Sequence, residues 1–281
     1  RMAVWVVLHT NHAQEMTPAA QGAIYTNGAH VAEWTPAGAR PVLWLSASSV
    51  FEPGKAIRGG IPICFPWFGP GFSGDKTPPH GFVRTTAWVR DSVEQSDHGL
   101  EVSYLIDQSV TGDQPLFPGA YSARLTARFT AEHLTVSLRV DNHGDDAFTI
   151  EEALHTYLAV SDVTTVTIEG LDDAPYLDKV AGDQAFDLGA GAVVLVPHEP
   201  GVGDQVAVGG AGDLDGVEVA GRPGGGRSQQ AVEVIVGNGS CGWGWCRCRR
   251  GFGFSCGILL HIVGRSGQQT VDIHAHVARH R

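Results

Sequence analysis

The chain is short of positive charge. Its 281 residues carry 19 Lys and Arg against 30 Asp and Glu, a formal net charge of −11. That balance argues against nucleic acid or an anionic membrane as a general partner. Lysine is the scarcest cation, with three copies against 16 Arg, so an anionic ligand has to be met by a local group of arginines. Cysteine is also sparse. Four of the five lie between Cys241 and Cys256, which is not the layout of a secreted disulfide framework. Their C-x₄-C-x-C-x₇-C spacing lacks the paired C-x₂-C knuckles of structural zinc, so no metal is expected. No run approaches the ~18 apolar residues of a membrane helix. The early segment AVWVVLH is ended by His9, Asn11 and His12, and no small-residue cleavage pattern follows it. A cytoplasmic protein is the expectation. No glycine-rich phosphate loop sits between a strand and a helix, so no nucleotide cofactor is implied. The first 180 residues hold no convincing amphipathic helix.

What remains is short alternating segments. Gly22 to Ala29 reads as strand, Asn-Gly turn, strand. Val42 to Leu45 reads as a buried strand and Glu52 to Lys55 as a turn. Ala87 to Arg90 and Leu100 to Ile106 read as strands around the polar Gln95 to Gly99. Tyr121 to Thr130 and Leu134 to Val140 place apolar residues at every second position. A polar turn over Asp141 to Asp146 follows, and Phe148 to Val160 and Val163 to Ile168 complete the series. Many short strands with regular turns predict an all-β fold, a large antiparallel β-sandwich. The length suits a single domain over 1–281, expected to be a monomer. Its anomaly is about 182–264: between Gly201 and Gly257, 17 of 57 residues are Gly. That is a linker-like texture.

One stretch stands out, KAIRGGIPICFPWFGPGFSGDKTPPHGFVRTTAW from Lys55 to Trp88. Pro62 and Pro66 exclude a helix and make a regular central strand unfavourable. The backbone here has to be irregular yet apolar, and Gly59 and Gly60 permit a close approach of another segment or a ligand. Arg58, His80 and Arg84 are the polar groups this scaffold presents. By residue type alone the arginines read as surface ion pairs. Further on, EEALHTYLAV places Ala153, His155 and Tyr157 on one strand face. His155 by residue type alone reads as a satisfied core histidine.

RGGIPICFPWFG followed by HGFVRTTAW, then EEALHTYLAV, then GLDDAPYLDKV, resembles the hexose-6-phosphate mutarotases. These are the glucose-6-phosphate 1-epimerase branch of the aldose 1-epimerase superfamily. The blocks come in that family's order and at roughly its spacing, over about Ala23 to Val180. The resemblance implies the galactose mutarotase-like supersandwich, no cofactor, and a small-molecule sugar phosphate as substrate. It makes His155 the catalytic residue that exchanges a proton with the ring oxygen. It gives Arg58 and Arg84 to the phosphate, with forked hydrogen bonds that arginine makes well. It also points to His80 and to Asp204, in Val-Gly-Asp-Gln-Val, as substrate-binding residues, although Gln205 and Ala207 depart from the family's block. A Trp-Asn-Pro-Trp-like block and a Val-Cys-Val-Glu-like block, the latter carrying the family's second catalytic residue, have no counterpart here. After Glu233 the chain holds a single carboxylate side chain, Asp272. The resemblance therefore leaves two readings: an isomerase interconverting the anomers of a hexose 6-phosphate, or a phosphosugar-binding sandwich without turnover.

Overall fold

In the computed structural model, residues 3–12, 15–96 and 99–160 are described, with nine further strands beyond them. Side-chain surroundings are described for 20–96 and 99–160. The chain opens with an antiparallel meander of β1 (Ala3–His12), β2 (Glu15–Tyr25) and β3 (His30–Pro36). Next come β4 (Ile63–Cys64), β5 (Val89–Ser96), β6 (Gly99–Asp107), β7 (Tyr121–Phe129), β8 (His133–Asn142), β9 (Phe148–Ile150) and β10 (Ala153–Ala159). The remaining strands are β11 (Val166–Glu169), β12 (Pro175–Asp178), β13 (Gln184–Asp187), β14 (Val193–Val194), β15 (Gln205–Ala211), β16 (Val217–Val219), β17 (Gln229–Asn238), β18 (Cys256–Gly264) and β19 (Gln269–Val277).

Alternation decides the largest sheet. In β7 and β8 every second side chain is buried: Tyr121, Ala123, Leu125, Ala127 and Phe129 on one, Leu134, Val136, Leu138 and Val140 on the other. They pair antiparallel without a register shift, from Tyr121 opposite Asn142 to Phe129 opposite Leu134. Each large apolar side chain so buried contributes roughly 1.5–3 kcal/mol. Nine strands join in the order β14-β11-β19-β18-β17-β8-β7-β6-β5. The edge strand β5 is nearly all exposed and carries Arg90, Asp91 and Glu94, charges that discourage pairing with another chain. The meander packs across this sheet. Gly22 lies so close to Phe129 that an added Cβ would sit 2.7 Å from its ring, and the Trp34 indole N–H donates to the Thr130 carbonyl at 3.2 Å. Trp34, Phe65, Tyr104, Tyr121 and Phe129 fill the space between as one core. The result is the predicted all-β sandwich. Of the nine strands beyond residue 160, six fall wholly within the glycine-rich 182–264.

Two expectations shift. Val42 to Leu45 does not form a ladder; it makes single bridges, Leu43 to Leu158 and Leu45 to Gly59. Gly59 sits at φ +93°, so the pairing cannot propagate through it. The predicted strand Phe148 to Val160 divides at Glu151 and Glu152 because the partner changes: β9 pairs with β16, whereas β10 pairs with β4 and β15. Among the described residues of the first 180, the helical segments are one four-residue turn, α1 (Gln108–Thr111), N-capped by Asp107, and a 3₁₀ turn at Val83–Thr85, neither of them an amphipathic helix. Both are too short to show a helical period. No described helix is long and apolar enough to cross a membrane.

Candidate active site

The irregular stretch from Lys55 to Trp88 wraps the β4–β10 pairing, and backbone hydrogen bonds hold it there. The Tyr157 N–H donates to the Gly60 carbonyl at 2.9 Å, the His155 N–H to Pro62 at 3.0 Å and the Glu151 N–H to Pro66 at 2.9 Å. Trp44 completes the frame: its N–H donates to the Tyr157 carbonyl at 3.0 Å and its carbonyl accepts from Gly60 at 2.7 Å. The two prolines leave carbonyls free for these bonds while removing donors that would go unmatched.

Three glycines make the close approaches possible. Gly59 (φ +93°), Gly60 (φ +64°) and Gly81 (φ +71°) occupy backbone conformations that other residues enter at a cost. A Cβ on each would collide with a backbone carbonyl oxygen: Trp44 for Gly59, Val31 for Gly60, Phe65 for Gly81.

On this frame β10 shows two faces. Leu154, Thr156 and Leu158 are buried, and His155 and Tyr157 stand on the opposite, half-open face. His155 is the centre of a ring cluster. Phe68 stacks on it at 6.0 Å with 10° between planes, Tyr157 lies 4.9 Å away, and His80 meets it edge-on at 6.4 Å. Phe68 also meets His80 edge-on at 4.8 Å, and Trp44 lies 6.0 Å from Tyr157. The wall around His155 is therefore aromatic and half-buried, a surface suited to the apolar face of a sugar ring.

His80 is held in a defined tautomer. The Gly69 N–H donates to its Nδ1 at 3.1 Å, and the backbone N–H of His80 donates to the Gly69 carbonyl at 2.7 Å. In the neutral ring the proton then sits on Nε2. His80 also has φ +67°, an uncommon conformation for a non-glycine residue.

Both predicted arginines border this cluster. Arg58 is exposed and Arg84 half-buried on the 3₁₀ turn, where its Nη2 donates to the Pro79 carbonyl at 2.9 Å. Burial and the Cys64 thiol raise the Tyr157 hydroxyl above its ordinary pKa, and the charges of Arg58 and Arg84 both act to lower it. The two cations thus share a field at Tyr157. Burial pushes the Cys64 thiol up to about 12, so it is no nucleophile, although Arg84 opposes the shift.

The structure therefore brings together Arg58, His80, Arg84 and His155. Asp204 lies outside the described residues, as does most of the Cys241 to Cys256 cluster. Sequence reasoning assigned no role to Phe68, Trp44 or Tyr157. Tyr157 was reachable, because it shares the face of His155 two residues away. Phe68 and Trp44 were not, since loop packing has no period to read. The other unassigned group is Glu151, whose Oε2 accepts from the Phe72 N–H at 3.0 Å and ties the glycine-rich loop to the start of β10. Its neighbour Glu152 is 3 % exposed, neither carboxyl oxygen has a hydrogen-bond partner, and burial raises its pKa to about 8.

The family model described as aldose 1-epimerase matches residues 15–197. A Salmonella typhimurium protein whose name assigns it provisionally as a glucose-6-phosphate 1-epimerase is 36% identical over 163 residues, covering 58% of this chain and 53% of its own. One from Cenchrus ciliaris with the same provisional name is 33% identical over 182 residues, covering 61% and 54%. The chain thus spans about half the length of these relatives. Among solved structures, a provisionally assigned mutarotase from Salmonella typhimurium superposes with TM-score 0.58 at 21% identity, over 97% of this chain and 85% of that one. A galactose mutarotase-like protein from Clostridium acetobutylicum gives 0.52 at 14%, over 92% and 82%; at these identities the likeness is one of fold. Matched along well over half its length, the chain belongs to the aldose 1-epimerase family.

Proposed function

We propose that the chain interconverts the α and β anomers of a hexose 6-phosphate, with glucose 6-phosphate the foremost candidate. The observation that carries this reading is the grouping of His155 with two arginines around one half-open aromatic wall. Mutarotation needs a proton removed from the anomeric hydroxyl and a proton delivered to the ring oxygen as the C1–O5 bond breaks. The open-chain aldehyde turns about C1–C2, and reversal of both transfers closes the ring on the other face. His155 is the group that gives and recovers the ring-oxygen proton, an imidazole being able to act as acid and as base near neutral pH. His80 binds a sugar hydroxyl. Arg58 and Arg84 take the phosphate, and Asp204 a sugar hydroxyl. No atom is gained or lost overall, and the reaction calls for no cofactor.

The second reading, a phosphosugar-binding sandwich without turnover, is favoured by one observation: the Val-Cys-Val-Glu-like block is missing, and Asp272 is the sole carboxylate side chain after Glu233. Arg58→Lys and Arg84→Lys test the assignment of the phosphate, because each keeps the charge and loses the fork. With either variant the loss should fall on glucose 6-phosphate and spare any weak activity on glucose. Equal losses on the two sugars would show that the arginines do something else. Binding of glucose 6-phosphate with no acceleration of its anomerisation would select the second reading.

A further inference from the structure

The loop that carries Phe68 and His80 is fastened by Glu151 to the strand of His155. Glu151 stands two positions before β10 and grips the loop twice. Its N–H donates to the Pro66 carbonyl at 2.9 Å, and its Oε2 accepts from the Phe72 N–H at 3.0 Å. The carboxylate lies along the backbone between those two points: a Cβ on Gly71 would stand 3.5 Å from Oε2. Phe72 is 76 % exposed, so its ring does little to anchor the loop, and the attachment falls on its N–H. The segment enclosed by this grip presents the groups that meet the two histidines. Phe68 stacks on His155 and meets His80 edge-on, and the Gly69 N–H donates to the Nδ1 of His80. Other bonds shape the loop from within. The Gly71 N–H closes a turn on the Phe68 carbonyl at 2.8 Å. The Lys76 N–H donates to Pro70 at 2.7 Å and the Trp67 indole N–H to Pro78 at 2.8 Å, which joins the two limbs to each other. The Lys76 ammonium ties the far limb to the Leu116 carbonyl at 3.3 Å, outside β10. The bonds of Glu151 are what set the Phe68–Gly69 corner against β10.

We propose that Glu151 is a positioning residue: by holding the Phe72 N–H, its carboxylate keeps Phe68 on His155 and the Gly69 N–H on His80, so that both imidazoles meet the sugar in a fixed geometry. This rests on the reading that His155 and His80 act on a sugar. The role calls for an acceptor of the right reach, and the charge is secondary. Glutamine keeps an oxygen at that reach. Aspartate keeps the charge but falls one methylene short, and alanine keeps neither.

The test compares Glu151→Gln, Glu151→Asp and Glu151→Ala in the full chain, with two readouts. The first needs no substrate. Hydrogen exchange of the Phe72 and Gly69 amides should speed up at least about tenfold in Glu151→Ala and Glu151→Asp and little in Glu151→Gln, with the amides of β7 and β8 unmoved. The ring-proton shifts of His155, set in part by the ring current of Phe68, should move in the same two variants. The second readout is kinetic. In Glu151→Ala and Glu151→Asp kcat should fall about tenfold with KM for glucose 6-phosphate held, because the arginines still take the phosphate while the histidines are misaligned. The loss should be in the same proportion on any weak activity toward glucose, and Glu151→Gln should keep the wild-type values. Phe72 and Gly69 exchange unchanged in Glu151→Ala and Glu151→Asp overturns the proposal whatever the activity. Glu151→Gln behaving like Glu151→Ala overturns it too, because charge and not the acceptor would then matter. So does a kcat that stays at the wild-type value while the loop amides are released. If the amides and ring shifts respond as expected but the wild type accelerates anomerisation of neither sugar, the bracing of the loop stands and the mutarotase reading of the site falls.

Discussion

His155 carries the chemistry of the proposal at the scale of a single residue. Its replacement by alanine removes one proton-transfer group, so turnover should fall by at least ~10²-fold with a modest change in substrate binding. Full turnover by that variant would remove the assignment. Two other single groups set how stability depends on pH, in opposite directions. His30 is buried neutral, with its pKa lowered from 6.5 to about 4 by burial, against the Gly59 contact. Its contribution is complete above about pH 6.5 and is lost as pH falls through 4, because the unfolded chain takes up the proton first; at about 1.4 kcal/mol per pKa unit this is roughly 3 kcal/mol. Glu152 is raised from 4.5 to about 8 by burial, so its contribution is complete below about pH 4.5 and is lost as pH rises through 8. Glu152→Gln should therefore stabilise the fold at pH 8 by about 1–3 kcal/mol and change it little at pH 4.5, read by urea unfolding at the two values. In that background the remaining loss between pH 6.5 and 4 should include the contribution of His30, and His30→Asn should reduce it. Neither residue announces itself in the sequence. His30 follows an Asn-Gly turn, and Glu152 adjoins an acidic neighbour that does quite different work. Their burial without full pairing is a product of tertiary packing, to which residue type is blind. His155, Arg58, His80 and Arg84 were legible because they lie in motif blocks, although no motif told how the rings around His155 meet.

At the scale of elements, the site depends on irregular backbone held by many small bonds. Gly60 and Gly74 separate two causes of its cost. Both have positive φ, +64° and +77°, but Gly60 is hemmed in by Val31 and His30 whereas nothing lies within 4 Å of a Cβ on Gly74. Gly74→Ala should cost about 1 kcal/mol, the conformational part alone. Gly60→Ala should cost more than about 3 kcal/mol, since the turn must also move away from β3. Thermal or urea unfolding of the two variants gives the comparison, and equal costs would mean that the close packing of the turn adds nothing. Strands β7 and β8 were readable from alternation, because one of their faces meets the core and the other meets solvent. The break between β9 and β10 was hidden, because nothing local marks a change of pairing partner. The Val42 to Leu45 segment was misread for a related reason. It is apolar enough for a strand, but its neighbour is the Gly59 turn.

For the whole molecule, the account is that a β-sandwich with net charge −11 gathers two arginines and a histidine at one half-open wall to open and reclose a phosphorylated sugar ring. The sandwich follows from alternation and turn chemistry over most of the chain. The glycine-rich segment hid its strands, because glycine contributes neither alternation nor β propensity. The most direct measurement is anomer exchange in glucose 6-phosphate, followed by NMR magnetisation transfer with the full chain present, beside glucose and beside the His155→Ala variant. The account predicts exchange well above the uncatalysed rate for the phosphate sugar, far less acceleration for glucose, and loss of the effect in His155→Ala. Exchange of glucose 6-phosphate at the uncatalysed rate, or equal acceleration by the wild type and by His155→Ala, would contradict it.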